Sequence, residues 1–252
     1  MYQGIATVSG SFAKMGLLRA SQEVDFGITG YQEYTLFGQK LYFTTTHISI
    51  IVVMLALIIF ALIANRVIKK ADPNKVPGTF LNIIEYIVEA IDNLTVANMG
   101  SKHGHKFSNY IGTLFMFILL SNLSGLFGLR PPTADYGTTL ALALITFVMI
   151  HYNGFKYQKA SHVTNLFKPL LLSPINIIGE IATPLSLSLR LFGNILSGTV
   201  LMGLIYGLLP KFLTLVWPGA LHVYFDVFSG SIQAYVFCML TMVFVSNTFE
   251  EE

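Results

Sequence analysis

Of the 252 residues, 54% are hydrophobic and only 11% charged, against about 25% charged in ordinary soluble domains, which excludes a soluble globule. The formal net charge is +2 and the lysines form no basic face with interleaved aromatics, so nothing points to a nucleic-acid partner. The single cysteine, Cys238, excludes an intramolecular disulfide and a cysteine-built metal site; lying in an apolar run, it reads as a small buried hydrophobe.

In chain order, residues 1–43 lack the basic start, apolar middle and small-residue cleavage site of a signal peptide. They are expected to form an extramembrane tail whose Tyr31, Tyr34, Phe37, Tyr42 and Phe43 suit a membrane interface. Residues 47–64 (HISIIVVMLALIIFALIA) meet the length needed to cross a hydrocarbon core. A turn with two prolines follows at 72–78. Over 79–97, Asn82, Glu85, Glu89 and Asp92 fall on one helical face, and Ile83, Ile84, Ile87, Val88 and Ile91 on the other. This pattern predicts an amphipathic interfacial helix with a solvated acidic face. Residues 99–106, with His103 and His105, read as a solvated polar loop. Further spans are predicted at 107–129 and 138–152, separated by a turn at 130–137 and followed by a basic loop at 155–168. A long helix covers 170–209, a turn 210–218, and a last span 221–247.

The expected fold is therefore an all-α membrane protein. It has five transmembrane helices plus the amphipathic helix, with the last two membrane helices long and tilted, in a single polytopic membrane domain over 1–252, of which 1–43 is the extramembrane tail and 44–252 the transmembrane ion-translocating region. Basic residues concentrate after the first span (Arg66, Lys69, Lys70, Lys75, Lys102, Lys106) and after the third (Lys156, Lys159, Lys168). The remaining short loops carry only Arg130 and Lys211. The positive-inside rule then puts the N-terminus outside and the C-terminus in the cytoplasm. There is no Walker motif, so nucleotide chemistry is not expected of this chain, and no cofactor is implied. No inverted repeat is evident, which weighs against a secondary transporter.

Arg190 stands out inside the long apolar stretch. A charge at bilayer depth costs roughly 2.5–3.5 kcal/mol on insertion scales, and such residues face water, a partner charge or another protein. Arginine keeps its proton, so it is a fixed positive charge rather than a proton carrier. Thr183, Ser186, Arg190, Asn194 and Ser197 share one helical side. Two acids flank the arginine along the chain. Glu180 precedes it by ten residues, about 15 Å of helix; Asp226 begins a face with Gly230 and Gln233 on the last helix. By the lysine-based orientation, Glu180 lies toward the cytoplasm and Asp226 toward the outside. Two offset half-channels fit this placement better than a continuous pore. An isolated carboxylate in lipid must be neutral, whereas beside a guanidinium it can ionise. A fixed positive charge between two half-channels would thus make an arriving carboxylate release its ion and would block a direct cation leak.

The run PLSLSLRLFGNILSG resembles the fourth transmembrane span of subunit a of the F-type ATP synthase. SGSIQAYVFCMLTMVFVS downstream, and SNLSGL with PPTAD upstream, match the same family in the same order. The resemblance covers residues 48–246 and implies the ion-translocating stator of a bacterial cell membrane, not an enzyme by itself. Its implied partners are a ring of c subunits with one membrane carboxylate each, the b-subunit stalk, the rest of the complex and membrane lipids. It also implies that Arg190 faces the ring, with Asn194 and Gln233 as polar neighbours. Asn122, Thr133, Asp135 and Asp226 match positions of the outer half-channel. Some members pair a histidine at the position of Asp226 with an acid where this chain has Thr199, and many have a glutamate where this chain has Asn176; Glu180, one turn later, would replace it.

Other roles fit the same residues. Asn122 and Thr133 suit hydrogen bonds at helix ends, Asp135 an N-cap, Gln233 interhelical bonding, and Asp226 and Glu180 packing ions. The rival functions are a stand-alone ion channel or secondary transporter, and a structural membrane anchor. Whether the ion is a proton or sodium is left open, because the binding carboxylate belongs to the ring.

Overall fold

In the computed structural model the described residues are 30–36, 39–71, 78–159, 161, 164, 173–208 and 217–249. Five helical stretches are long and apolar enough to cross a membrane: Thr45–Lys70, Thr79–Phe127, Tyr136–Tyr157, Ser173–Ile205 and Gly219–Ser246. The all-α membrane architecture expected from the hydropathy pattern is thus present. Part of the tail adds structure that the sequence reading did not foresee. Strands β1 (Gly30–Leu36) and β2 (Gln39–Thr44) pair antiparallel, with Leu36 opposite Gln39 and an irregularity near Gly30. Residues 1–29, Phe37 and the side chains of Tyr31, Tyr34, Tyr42 and Phe43 lie outside the described residues, as does the turn at 72–77.

Helix α1 (Thr45–Lys70) follows the hairpin directly. Its first turn is fixed by Thr44, whose backbone N–H donates to His47 Nδ1 at 3.3 Å. Only Thr46, Ser49, Val53 and Ala64 of α1 are buried, so most of its apolar surface faces outward, toward lipid.

Helix α2 (Thr79–Leu123) corrects the predicted loop at 99–106, which is helical apart from one residue. Gly100 has φ of 74° and ψ of 160°, a backbone state that glycine reaches without the Cβ penalty of other residues. The chain reverses there. His105 Nδ1 lies 3.0 Å from Asp92 Oδ1, two positions that a straight helix would hold about 20 Å apart. One glycine suffices for the reversal, so the polar residues around it stay helical. His103 is not simply solvated either. Its ring stacks on Phe249 at 4.1 Å and meets Tyr157 edge-on at 5.3 Å, which ties the C-terminal end of the chain to α2 and α3. Asn82, Glu85 and Glu89 are exposed, as an acidic solvated face requires.

Helices α3 (Tyr136–Tyr157) and α4 (Ser173–Leu208) pack extensively on each other. The predicted third span thus extends to Tyr157, into the region read as the start of a loop. Half of the predicted loop at 155–168 and residues 210–216 of the turn predicted at 210–218 fall outside the described residues, but Trp217–His222 is already helical, as α5. A π-helical stretch, Val223–Ser229, leads from α5 into α6 (Gly230–Ser246).

The core is built mainly where α6 meets α2. Ile111, Leu114 and Ile118 of α2 pack with Ala234, Phe237, Cys238 and Met242 of α6, and Leu187 and Leu191 of α4 close it. Cys238 is fully buried, in keeping with its apolar sequence setting. Between membrane helices lipid tails remove most of the hydrophobic driving force, so close packing and interhelical polar contacts must supply the rest. Thr139, Thr146 and Thr241 are fully buried, and the hydroxyls of Thr146 and Thr241 approach to 3.4 Å between α3 and α6.

Candidate functional site

Leu187, Leu191, Ile195 and Met202 bury one side of α4 in the bundle. That anchoring turns Ser186, Arg190 and Ser197 to the exposed side, with Thr183 and Asn194 at the margin. Arg190 is exposed and makes no ion pair or hydrogen bond among the described residues. It lines a cleft of about 220 Å³ with Thr183, Ser186, Leu187, Leu240 and Phe244, between α4 and α6.

Gly179, Thr183 and Phe244 also line a larger cleft of about 660 Å³ that holds Asn176 and Glu180. This second cleft opens where α3 and α6 end, beside Gln158, Asn247 and Thr248. Pro184 sits inside α4 four residues after Glu180 and offers no N–H to its carbonyl. Glu180 Oε2 lies 4.0 Å from His151 Nε2 of α3, a contact the sequence reading missed. The small cleft thus extends the Glu180 cleft as far as Arg190.

A third cleft, of about 410 Å³, lies at the opposite end of the bundle, lined by Gly125, Arg130, Pro131, Leu196, Thr199, His222 and Asp226 among others. Asp226 stands in the π-helical stretch, a form that appears frequently at functional sites. His222 Nδ1 lies 2.6 Å from Asp226 Oδ2. This histidine was also overlooked, although its spacing of four residues from Asp226 was the available signal. The Asp226 and Arg190 clefts share no lining residue. Between them Ser229 Oγ donates to Asn194 Oδ1 at 3.0 Å, closing the α4–α6 seam. On α4 the nearest lining residues of the two larger clefts, Thr183 and Leu196, stand seven and six residues from Arg190, about 10 Å along the helix.

The remaining predicted residues are structural neighbours of the third cleft. Asn122 and Thr133 are buried. Thr133 Oγ1 donates to Asn122 Oδ1 at 2.7 Å, and Asn122 Nδ2 donates to the Gly230 carbonyl at 2.8 Å. A Cβ at Gly230 would meet Asn122 Cβ at 3.0 Å, so the glycine gives this contact its room. Asp135 serves as the N-cap of α3, accepting from the Gly137 N–H at 3.0 Å, and is not among the residues lining the cleft. Gln233 is buried on α6, and its Nε2 has no hydrogen-bond partner among the described residues.

A family model described as "ATP synthase A chain" matches residues 47–246. The chain belongs to that family. Among similar proteins, "ATP synthase subunit a" of Staphylococcus saprophyticus is 33% identical, covering 86% of this chain and 96% of its own length. "ATP synthase subunit a 1" of Pelobacter propionicus is 35% identical over 79% of this chain and 85% of its own. "ATP synthase subunit a, sodium ion specific" of Propionigenium modestum is 40% identical, over 57% of this chain and 54% of its own length. Family membership and the five apolar helices make this chain a multi-pass membrane protein of the ATP synthase.

Proposed function

We propose that this subunit conducts ions through two offset half-channels and couples their flow to rotation of a c ring. One feature carries the reading: two clefts at opposite ends of the bundle, with Arg190 between them, exposed and without an ion pair or hydrogen bond among the described residues. The Asp226 cleft is the outer half-channel and the Glu180 cleft the cytoplasmic one, with the N-terminus outside and the C-terminus inside a bacterial cell membrane. A ring carboxylate arriving at Arg190 ionises beside the guanidinium and gives up its ion. On leaving, it must be neutralised again before it enters lipid. Asn194, tied to Ser229, and the buried Gln233 supply the polar surroundings of that exchange. Asn122, Thr133 and Gly230 hold the outer cleft's wall, and Asp135 fixes the start of α3 beside it. The b-subunit stalk and catalytic head are the further partners; the chain performs no catalysis alone.

Vesicles test this reading directly. Vesicles holding this chain alone should keep an imposed pH gradient, because neither cleft crosses the membrane by itself. Adding c rings without the catalytic head should collapse the gradient. Collapse by the chain alone would contradict the reading and favour a stand-alone channel.

A further inference from the structure

We propose that His222 is the proton-exchanging partner of Asp226, and that this couple makes the outer cleft a path for protons rather than for metal cations. The inference rests on the half-channel reading and names the ion and a further residue for it. His222 Nδ1 and Asp226 Oδ2 are 2.6 Å apart, short enough for direct proton sharing. The two side chains are 32% and 20% exposed, so the couple meets the cleft without being fully solvated. Histidine is the side chain whose charge changes most readily near neutral pH. In the loaded state one proton lies between Nδ1 and Oδ2; in the unloaded state the imidazole is neutral and Asp226 ionised. One proton enters from the cleft and one leaves toward the ring carboxylate, and no other bond changes.

The rest of the cleft opposes a metal cation. A hard cation takes a cage of several oxygen ligands. The side-chain oxygens lining this cleft are those of the Asp226 carboxylate and the Thr199 hydroxyl, fewer than such a cage takes. One Asp226 oxygen is engaged by the histidine. Arg130, from the segment after α2, brings a positive charge to the same cleft, and the remaining lining is largely apolar. Arg130 and Asp226 are the charged groups facing His222 there; α4 contributes Leu196, Gly198, Thr199 and Met202, none of them titratable.

The test is ATP synthesis by the assembled complex in vesicles, driven by an acid jump on the outer side without sodium. His222→Asn retains an amide able to bond Asp226 but cannot take up a proton. With the pH difference across the membrane held constant, wild-type synthesis should proceed without sodium and vary with the absolute outer pH. His222→Asn should lose about 10- to 100-fold in rate, at or below the low end of what a positioned proton-transfer group contributes, and should lose that pH dependence. Equal ATP hydrolysis by both preparations establishes equal assembly. A wild-type rate in His222→Asn, a loss with an unchanged pH profile, or a sodium requirement in the wild type would each overturn the proposal. Arg190→Ala in the same vesicles separates the two levels. If it is inactive while His222→Asn behaves as wild type, only the role of His222 fails; if it is fully active, the half-channel reading itself fails.

Discussion

Arg190→Ala is expected to abolish ion-driven ATP synthesis while ATP hydrolysis by the detached catalytic head continues. The side chain is exposed, without a partner among the described residues, and set between two clefts that share no wall with each other. Without it, a ring carboxylate has no counter-charge at that depth and keeps its ion. A lone charge in lipid costs roughly 2.5–3.5 kcal/mol on insertion scales, so at about 1.4 kcal/mol per factor of ten the loss in rate is at least about a hundredfold. Arg190→Lys should fail almost as badly, since a compact ammonium does not reproduce the planar fork of the guanidinium. Folding should be little affected, because Leu187, Leu191 and Ile195 seat α4 from the other side. Synthesis at normal rates in Arg190→Ala membranes would contradict this.

Asp226→Asn is the second large effect. The substitution keeps the shape of a side chain packed beside Gly125 and His222 but removes its negative charge. Uptake from the outer side should slow by about a hundredfold or more, the low end of what a positioned proton-transfer group contributes. Coupling should persist in the flow that remains, because Arg190 still separates the clefts. Driven synthesis measured over a range of outer pH checks this. A rate unchanged across that range would make Asp226 a packing ion.

Much of this was legible in the sequence because apolar length and helical periodicity are local properties. The five spans, the stripe through Arg190 and the two flanking acids all follow from spacing along one chain. What escaped depends on contacts across the bundle or on a single backbone angle. A histidine-rich polar run near Gly100 looks like a loop, since composition does not reveal that one glycine at positive φ accomplishes the whole reversal. His103 gains its place only through Phe249 and Tyr157, more than 50 residues away. His151 meets Glu180 from another helix, so no spacing rule would have found it, whereas His222 lay within reach of an i, i+4 search. The strand pairing at 30–44 joins segments whose alternation is weak. Asn122, Thr133 and Asp135 read as polar groups near helix ends; Asp135 caps α3, while Thr133 and Asn122 bond each other and tie α2 to the Gly230 carbonyl at the start of α6.

The central claim is that the two clefts open to opposite sides of the membrane, and single-cysteine labelling tests it most directly. Cys238→Ser would first remove the native thiol, which is the single cysteine of the sequence and is buried. Single cysteines then replace Asp226, Glu180 and, as a control, the lipid-facing Leu189. Thiolates form and react only where water and reagent reach. Leu196 is unsuitable as a control because it lines the Asp226 cleft. The account predicts that the cysteine at 226 reacts with a membrane-impermeant reagent added outside and not inside, that the one at 180 does the reverse, and that the one at 189 is slow from both sides. Labelling of 226 and 180 from the same side, or of both from both sides, would contradict it.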